Sequence, residues 1–488
     1  MEREHPFGSL QCGVKFLQKA QTAVYFPVNR RVAPALRLVQ RTLLATILGA
    51  CSPFPAHEQP ALPVSVRFPG HLDAAETRSA EIAWRSFFVD PRLRVLIDAA
   101  LEGNRDLRMA VCRLEQSREQ AAIVRARWMP AFNASATMER ARLSGKTAEQ
   151  WMTNAGLAAY EVDLFGRIRS LHAQAQAQVL AADEARNTVQ ISLVAEVATQ
   201  YFAWLQALAQ VDVARKTLQS ARDLYALTKA ILEAGATHEL DARTAEGQVK
   251  TVHASLLEYQ LHERETQNLL ALLTGGALPC GPPPDPLGGV RRLLAPVPPG
   301  LPSELVLRRA DILQAEHLVR AARAHIGVAR AAFFPSIRLT GTLGTMAPEL
   351  GKLFAGGGTV WRFAPDVTVP LFAGGQNLAN YRAAKVGVRF EVARYEKTVQ
   401  TAFREVADAL AGIETAGQLM AVQNEAVAIQ ERRLDLATAR YRAGEDAHVN
   451  VLLAQQALYA ARQAHISARF RWLVNQVSLY RALGGGWR

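Results

Sequence analysis

Cysteine is scarce, with four in 488 residues, too few for a disulfide scaffold in a chain of this length. Metal and phosphate signatures are missing as well. No HExxH, no CxxC pair and no P-loop occurs, and Gly356-Gly357-Gly358 lacks the Lys-Ser/Thr that a phosphate cradle needs. His253 and His262 stand nine apart, a spacing that does not place them on adjacent turns of one helix face, so no metal site is expected. The chain therefore reads as a non-enzyme without cofactor. Net charge is +12, but seven Lys/Arg within Met1–Ala50 face only two Glu, so five of those charges lie in the first 50 residues. The remaining Arg residues are dispersed among Glu and Asp without a basic–aromatic cluster, which excludes a nucleic-acid footprint. After the N-terminal segment no uncharged apolar run reaches the roughly 18 residues of a membrane-spanning helix. A mature chain that crosses a membrane would have to use strands.

Arg37 and Arg41 precede the apolar run Leu43–Leu48, which ends in Gly49-Ala50-Cys51. A basic region, a short apolar stretch and small residues at the cleavage point define a secretory signal. Residues 1–50 read as a signal peptide, and 51–88 as an N-terminal tail. The segment before Arg30 is longer than such a basic region requires, and a start downstream of Met1 would account for it.

The stretch Ala331–Gln376 organises the rest. Ile337, Leu339, Gly341 and Leu343 alternate with Ser336, Arg338, Thr340 and Thr342, and Trp361, Phe363, Val367, Val369 and Leu371 alternate with Arg362, Asp366 and Thr368. A period of two puts one apolar and one polar face on an extended strand. Pro365 sits in the apolar register, where proline is tolerated only at an edge or a bulge. Strands are expected at about 335–345 and 359–371, joined by a Gly-bearing loop. Phe132, Ala134, Ala136 and Met138 repeat the pattern in a strand at about 130–140, and a less regular one follows at about 149–164.

The chain repeats one plan. Asp106 and Asp311, and Pro130 and Pro335, are each 205 apart. A first repeat covers 89–277 and a second 303–485. Between them, nine prolines in Leu278–Pro302 mark a linker. Val392, Val399, Val406, Ile413, Met420, Val427, Leu434 and Tyr441 recur every seven residues, and Val197, Trp204, Val211, Leu218, Tyr225 and Leu232 match them at a constant offset of 209. After the turn Leu452, Tyr459, Ile466, Leu473 and Tyr480 keep the period, with Val449, Phe470 and Val477 as partners. A sustained seven-residue apolar period implies coiled-coil packing. Each long helix runs about 70 residues, or roughly 100 Å, and stops at Gly235 or Gly444, as glycine just past the last periodic residue does.

Four strands of about ten residues match membrane-spanning β-strands, yet four cannot close a barrel. An open edge is not viable in lipid, so several chains are needed: two give eight strands and a filled barrel, three give twelve with room for a lumen. Cys112 is expected inside a helix as a small buried side chain, and a disulfide to Cys280 stays open.

These residues resemble the TolC-like outer-membrane efflux proteins, in their lipidated OprM/NodT branch. The resemblance rests on Arg308-Arg309-Ala310-Asp311-Ile312 with Ala315-Glu316-His317, on Ile326–Ser336, on Asp163-Leu164-Phe165-Gly166-Arg167, on Thr401–Leu410 and on Arg440-Tyr441-Arg442-Ala443-Gly444. It implies an α+β membrane protein and a homotrimer: a twelve-stranded outer-membrane β-barrel joined to a periplasmic helical coiled-coil barrel. Leu48-Gly49-Ala50-Cys51 resembles a lipobox, implying a mature chain lipidated at Cys51 in the outer membrane of a Gram-negative bacterium. The implied activity is passive conduction of small molecules such as drugs or toxic compounds, fed by a periplasmic adaptor and an inner-membrane pump of RND type. Adaptor docking is carried onto the tip turns Gly235, Thr237, Gly444, Glu445 and Asp446, and the periplasmic gate onto Tyr441, Arg442, Val449 and Leu453. Family members often carry a carboxylate where Leu453 stands. Its absence puts a cation-binding gate in doubt and points to an apolar ring closing by dewetting. Glu445 and Asp446 either supply an electrostatic role at the tip or are plain turn carboxylates. Two alternatives remain: a type I protein-secretion conduit on the same fold, and a lipid-anchored periplasmic spacer that conducts nothing.

Overall fold

A computed structural model describes residues 83–143, 146–235, 237–276, 278, 293–295, 309–356 and 358–485. Cys51, Cys280 and most of the proline-rich linker lie outside the described residues. Three helices lead in: α1 (Trp84–Phe87), α2 (Pro91–Gly103) and α3 (Arg105–Ala126). Then come β1 (Phe132–Leu143), β2 (Lys146–Val162), α4 (Arg167–Glu233) and α5 (Glu239–Thr274). The second half runs α6 (Ala310–Ala331), β3 (Ser336–Ala347), β4 (Thr359–Thr368), α7 (Gln376–Arg442) and α8 (His448–Ala482). Both long helices have 67 residues, about 100 Å at the α-helical rise.

The strands form one antiparallel sheet in the order β1-β2-β3-β4. Three boundaries differ from expectation. β1 runs on to Leu143 rather than to about 140. β2 starts at Lys146 because its first residues pair with the end of β1, down to Leu143↔Lys146. β4 ends at Thr368, its last partner on β3 being Ser336, so Val369 and Leu371 are exposed residues beyond it. Within the single chain Pro365 stands on a strand with one partner, β3, as the sequence expectation of an edge requires.

The long helices lie in a row, α7–α8–α4–α5, with α6 packed against both α4 and α7 and α3 against α4. The heptad positions form the seams. Val197, Val211, Leu218, Val399 and Val406 are buried, as are Leu452, Ile466, Leu473 and Tyr480 on α8. Val449, expected in that seam, is instead exposed; the first turn of α8 packs through His448, Val451 and Leu452, which turns Val449 outward. Cys112 is also exposed rather than buried, on the outer face of α3.

The largest core lies along the middle of α4, from Leu193 to Leu205, where α1 and α2 pack on the bundle. Phe87 stacks on Tyr480 at 4.2 Å, and the buried Tyr201 donates its hydroxyl to Asp90 at 2.7 Å. A second anchor ties α6, α7 and α8 together within the second half. Arg309 donates to both oxygens of Asp311, at 2.9 and 2.6 Å, and to the Ala482 carbonyl at 3.0 Å, and pairs with Glu405 at 2.8 Å.

Candidate functional site

Two regions carry the geometry that a conduit would need: the sheet and the helical tips. In the sheet, register turns sequence alternation into continuous faces. Phe363, Gly341, Leu157 and Phe132 stand in one cross-strand row, and Trp361, Leu343, Ala155 and Ala134 in another. Pro365, Leu339 and Tyr160, then Val367, Ile337 and Val162, extend this apolar face toward the helices. Its two paired threonines, Thr153 and Thr345, hydrogen-bond each other at 2.9 Å, so each hydroxyl has a partner on this face. Arg140 and Glu149 pair at 3.2 Å, beyond Trp151 and toward the β1–β2 turn. The opposite face is polar: Arg362, Thr342, Gly156 and Asn133 form one row, and Asp366, Arg338 and Glu161 another.

The dimensions fit a bilayer. From Ile337 to Ala347 the apolar face rises about 34 Å along β3, and the usual barrel tilt reduces that to about 25 Å, the height of an outer-membrane apolar band. Glycine on the polar face lets β2 and β3 approach. A Cβ at Gly344 would lie 1.9 Å from the Thr153 carbonyl oxygen, and one at Gly156 2.0 Å from that of Gly341. Where β2 gives way to α4, Asp163 caps the helix by accepting from the N–H groups of Ile168 at 3.0 Å and Arg169 at 2.9 Å. Phe165 stacks there on Phe334 at 4.9 Å.

At the far end both tip glycines adopt left-handed backbone, φ 72° at Gly235 and 76° at Gly444, which a Cβ would strain. The second tip closes by a Schellman pattern, Glu445 N–H donating to the Arg440 carbonyl at 3.0 Å. Thr237 donates to Asp241 at 2.6 Å. Asp446 accepts from the Asn450 amide and from the Ala447 N–H, which hold its carboxyl below the usual carboxylate range, and Arg440 stands 3.7 Å away. Arg442 and Glu445 are exposed, and Val449 and Leu453 lie one turn apart on an exposed face of α8.

Sequence reasoning missed His448. It is buried at the start of α8, its ring 5.2 Å from that of Tyr441 and its Nε2 3.0 Å from the Thr228 hydroxyl of α4. Thr228 already spends its proton on the Leu224 carbonyl, at 2.8 Å. His448 Nε2 must therefore donate, which leaves Nδ1 unprotonated, buried and without a partner. Burial holds the imidazole below its usual pKa, and the Asp241 carboxylate on α5 opposes that shift. The same surroundings raise the Tyr441 phenol, through burial first and Asp241 second. All four long helices thus meet at one small polar knot. The only signal in the sequence is asymmetry: His448 stands where the first tip has Glu239.

Comparison with known proteins agrees with this geometry. The model of the outer membrane efflux protein family matches residues 96–276 and 301–485. The chain is 40% identical over 463 residues to the toluene efflux pump outer membrane protein TtgC of Pseudomonas putida, covering 92% of this chain and 96% of that one. It is 41% identical over 465 residues to the outer membrane protein OprJ of Pseudomonas aeruginosa, with the same coverage of 92% and 96%. Among solved structures, the open state of the Neisseria gonorrhoeae MtrE outer membrane channel superposes with a TM-score of 0.82 at 35% identity, covering 90% of this chain and 99% of that one. A sheet with one apolar and one polar face, set on paired 67-residue helices, is the architecture of such channels, and the chain belongs to the outer membrane efflux protein family.

Proposed function

We propose that three copies of this chain close a twelve-stranded barrel in the outer membrane and a helical barrel beneath it, forming a passive conduit. The sheet carries the proposal. It has a largely apolar face, a polar face and two open edges, β1 and β4, and each unpaired backbone group at such an edge would cost several kcal/mol in lipid. Joining β4 of one copy to β1 of the next removes every edge, and the polar face becomes the wall of a lumen. In the full assembly Cys51 carries the lipid anchor, and a periplasmic adaptor docks at Gly235, Thr237, Gly444, Glu445 and Asp446. An RND-type inner-membrane pump supplies the substrate.

Relatives bear names that speak of toluene, solvent and antibiotic efflux pumps. This chain accordingly conducts small drug-like or toxic compounds, with no chemical step of its own. Tyr441, Arg442, Val449 and Leu453 narrow the periplasmic end, where the exposed Leu453 gives an apolar ring in place of a carboxylate. Purified protein added to a planar bilayer will give discrete ion-conducting steps. A protein that binds the bilayer and never conducts would be a spacer.

A further inference from the structure

The apolar face of the sheet has one charged patch, and it lies at one end. Among the described residues, charge on that face is confined to Arg140, Arg142 and Glu149, in the rows Arg140↔Glu149 and Arg142↔Thr147 of the β1–β2 hairpin. β1 follows α3 and β2 leads into α4, so the hairpin turn is the end of the sheet farthest from the helices. Directly below the patch Met138, Trp151 and Ala347 stand in one row, the outer limit of the apolar band. Along β1 the two arginines lie about 7 and 13 Å past that row, which the usual barrel tilt reduces to about 5 and 10 Å of height. The polar layer of a bilayer is about 5–7 Å deep on each side. One guanidinium therefore falls within the headgroup layer and the other just above it, within reach of its phosphates.

Charge in this patch does not cancel. Glu149 pairs with Arg140 at 3.2 Å, the two side chains being 64% and 41% exposed for Arg140 and Glu149. Arg142 is exposed and has no ion-pair partner among the described residues. Two cations about 7 Å apart on one strand share a single carboxylate, so each copy carries net positive charge on the face that otherwise suits lipid. We propose that Arg140 and Arg142 bind the phosphate of a phosphorylated glycolipid in the outer leaflet of the outer membrane, on the outside of the barrel. This rests on the barrel reading, in which the apolar face meets lipid and the helices lie on the periplasmic side. A guanidinium fork matches phosphate oxygens with two parallel N–H bonds. Glu149 holds Arg140 in position, and Thr147, opposite Arg142, adds a hydroxyl donor. Trp151 and Met138, one row below Arg140 and Glu149 on the same face, meet the acyl chains of the same lipid, as aromatic girdles do.

The test is native mass spectrometry of the full-length protein extracted in mild detergent from the outer-membrane fraction, which reads protein mass and retained lipid together. The parent will carry a phosphorylated glycolipid, and Arg140→Gln with Arg142→Gln will retain roughly tenfold less. Arg362→Gln makes the same charge change on the polar face and will retain as much as the parent. A second measurement needs no substitution: parent stripped of lipid will rebind diphosphorylated lipid A and will not rebind its dephosphorylated form. Glycolipid retained in full by the double variant, a phospholipid in its place, or equal rebinding of both lipid A forms would overturn the assignment, and an oligomer mass in the same spectrum would show that the barrel stands. Loss of glycolipid in Arg362→Gln alone would turn the polar face toward lipid and overturn the barrel reading as well.

Discussion

Phe363→Arg will abolish stable assembly, and Thr340→Arg will not. Phe363 lies mid-height on the apolar face, in the row with Gly341, Leu157 and Phe132, and it is exposed in the single chain. A guanidinium at the bilayer midplane of a barrel costs about 2–4 kcal/mol. That is a large fraction of the roughly 5–15 kcal/mol by which folded proteins are stable. Three copies would each bear it. Thr340 is on the opposite face, beside Arg338 and Arg362 in the sheet, where an added cation meets water and alters ion selectivity instead. The checks are the yield of heat-labile oligomer in the outer-membrane fraction and, for Thr340→Arg, reversal potential in an ion gradient. Equal loss in both variants would mean that neither face meets lipid.

The second large effect is the response of the helical tip, the proposed gate, to pH, and it rests on His448. Its folded pKa lies below that of the unfolded chain, because burial penalises the charged ring more than Asp241 favours it. The opened or unfolded tip therefore binds protons more readily than the packed one. The stabilising contribution is fully present above the ordinary histidine value of about 6.5 and is lost as pH falls through the lowered folded value. A protonated ring would place an N–H at Nδ1 in a site that offers it no acceptor. Burying that N–H without an acceptor costs about 1–3 kcal/mol while the Nε2–H bond to Thr228 is kept, so the open-to-closed ratio of the proposed gate should rise about fivefold or more as pH falls from about 7.5 through the lowered folded value. His448→Phe keeps a ring of similar shape and removes the titration, and its open probability should not respond over that range. A variant that still opens on acidification would assign the response to other groups.

Much of the fold is legible in the sequence because two short-range signals survive every tertiary detail. Period-two alternation in Ile337–Leu343 and Trp361–Val367 fixes which side chains share a face, since that follows from backbone geometry alone. The seven-residue period from Val392 to Tyr441 fixes helix length for the same reason. Boundaries are less legible where pairing decides them: β2 begins at Lys146 because β1 supplies partners there, and β4 stops at Thr368 because β3 has no more to offer. Long-range polar contacts are not legible at all. Arg309 and Glu405 stand in two motifs singled out separately, and nothing in either says that they meet at 2.8 Å. A lone histidine carries no periodic signal, and the meaning of His448 comes from Thr228, 220 residues away. A helical apolar pattern says which residues can be buried and not which face finds a partner, and Cys112 lies on a face that finds none within the chain.

The central claim is that one chain is incomplete and that several close into a barrel through the outer membrane. Its most direct test is the native mass of protein extracted in mild detergent from a separated outer-membrane fraction, with and without boiling. The account predicts a species of three protomers that boiling converts to the monomer. A monomer in the unheated extract, released from the membrane by salt or lipase, would contradict it and leave an anchored, non-conducting spacer.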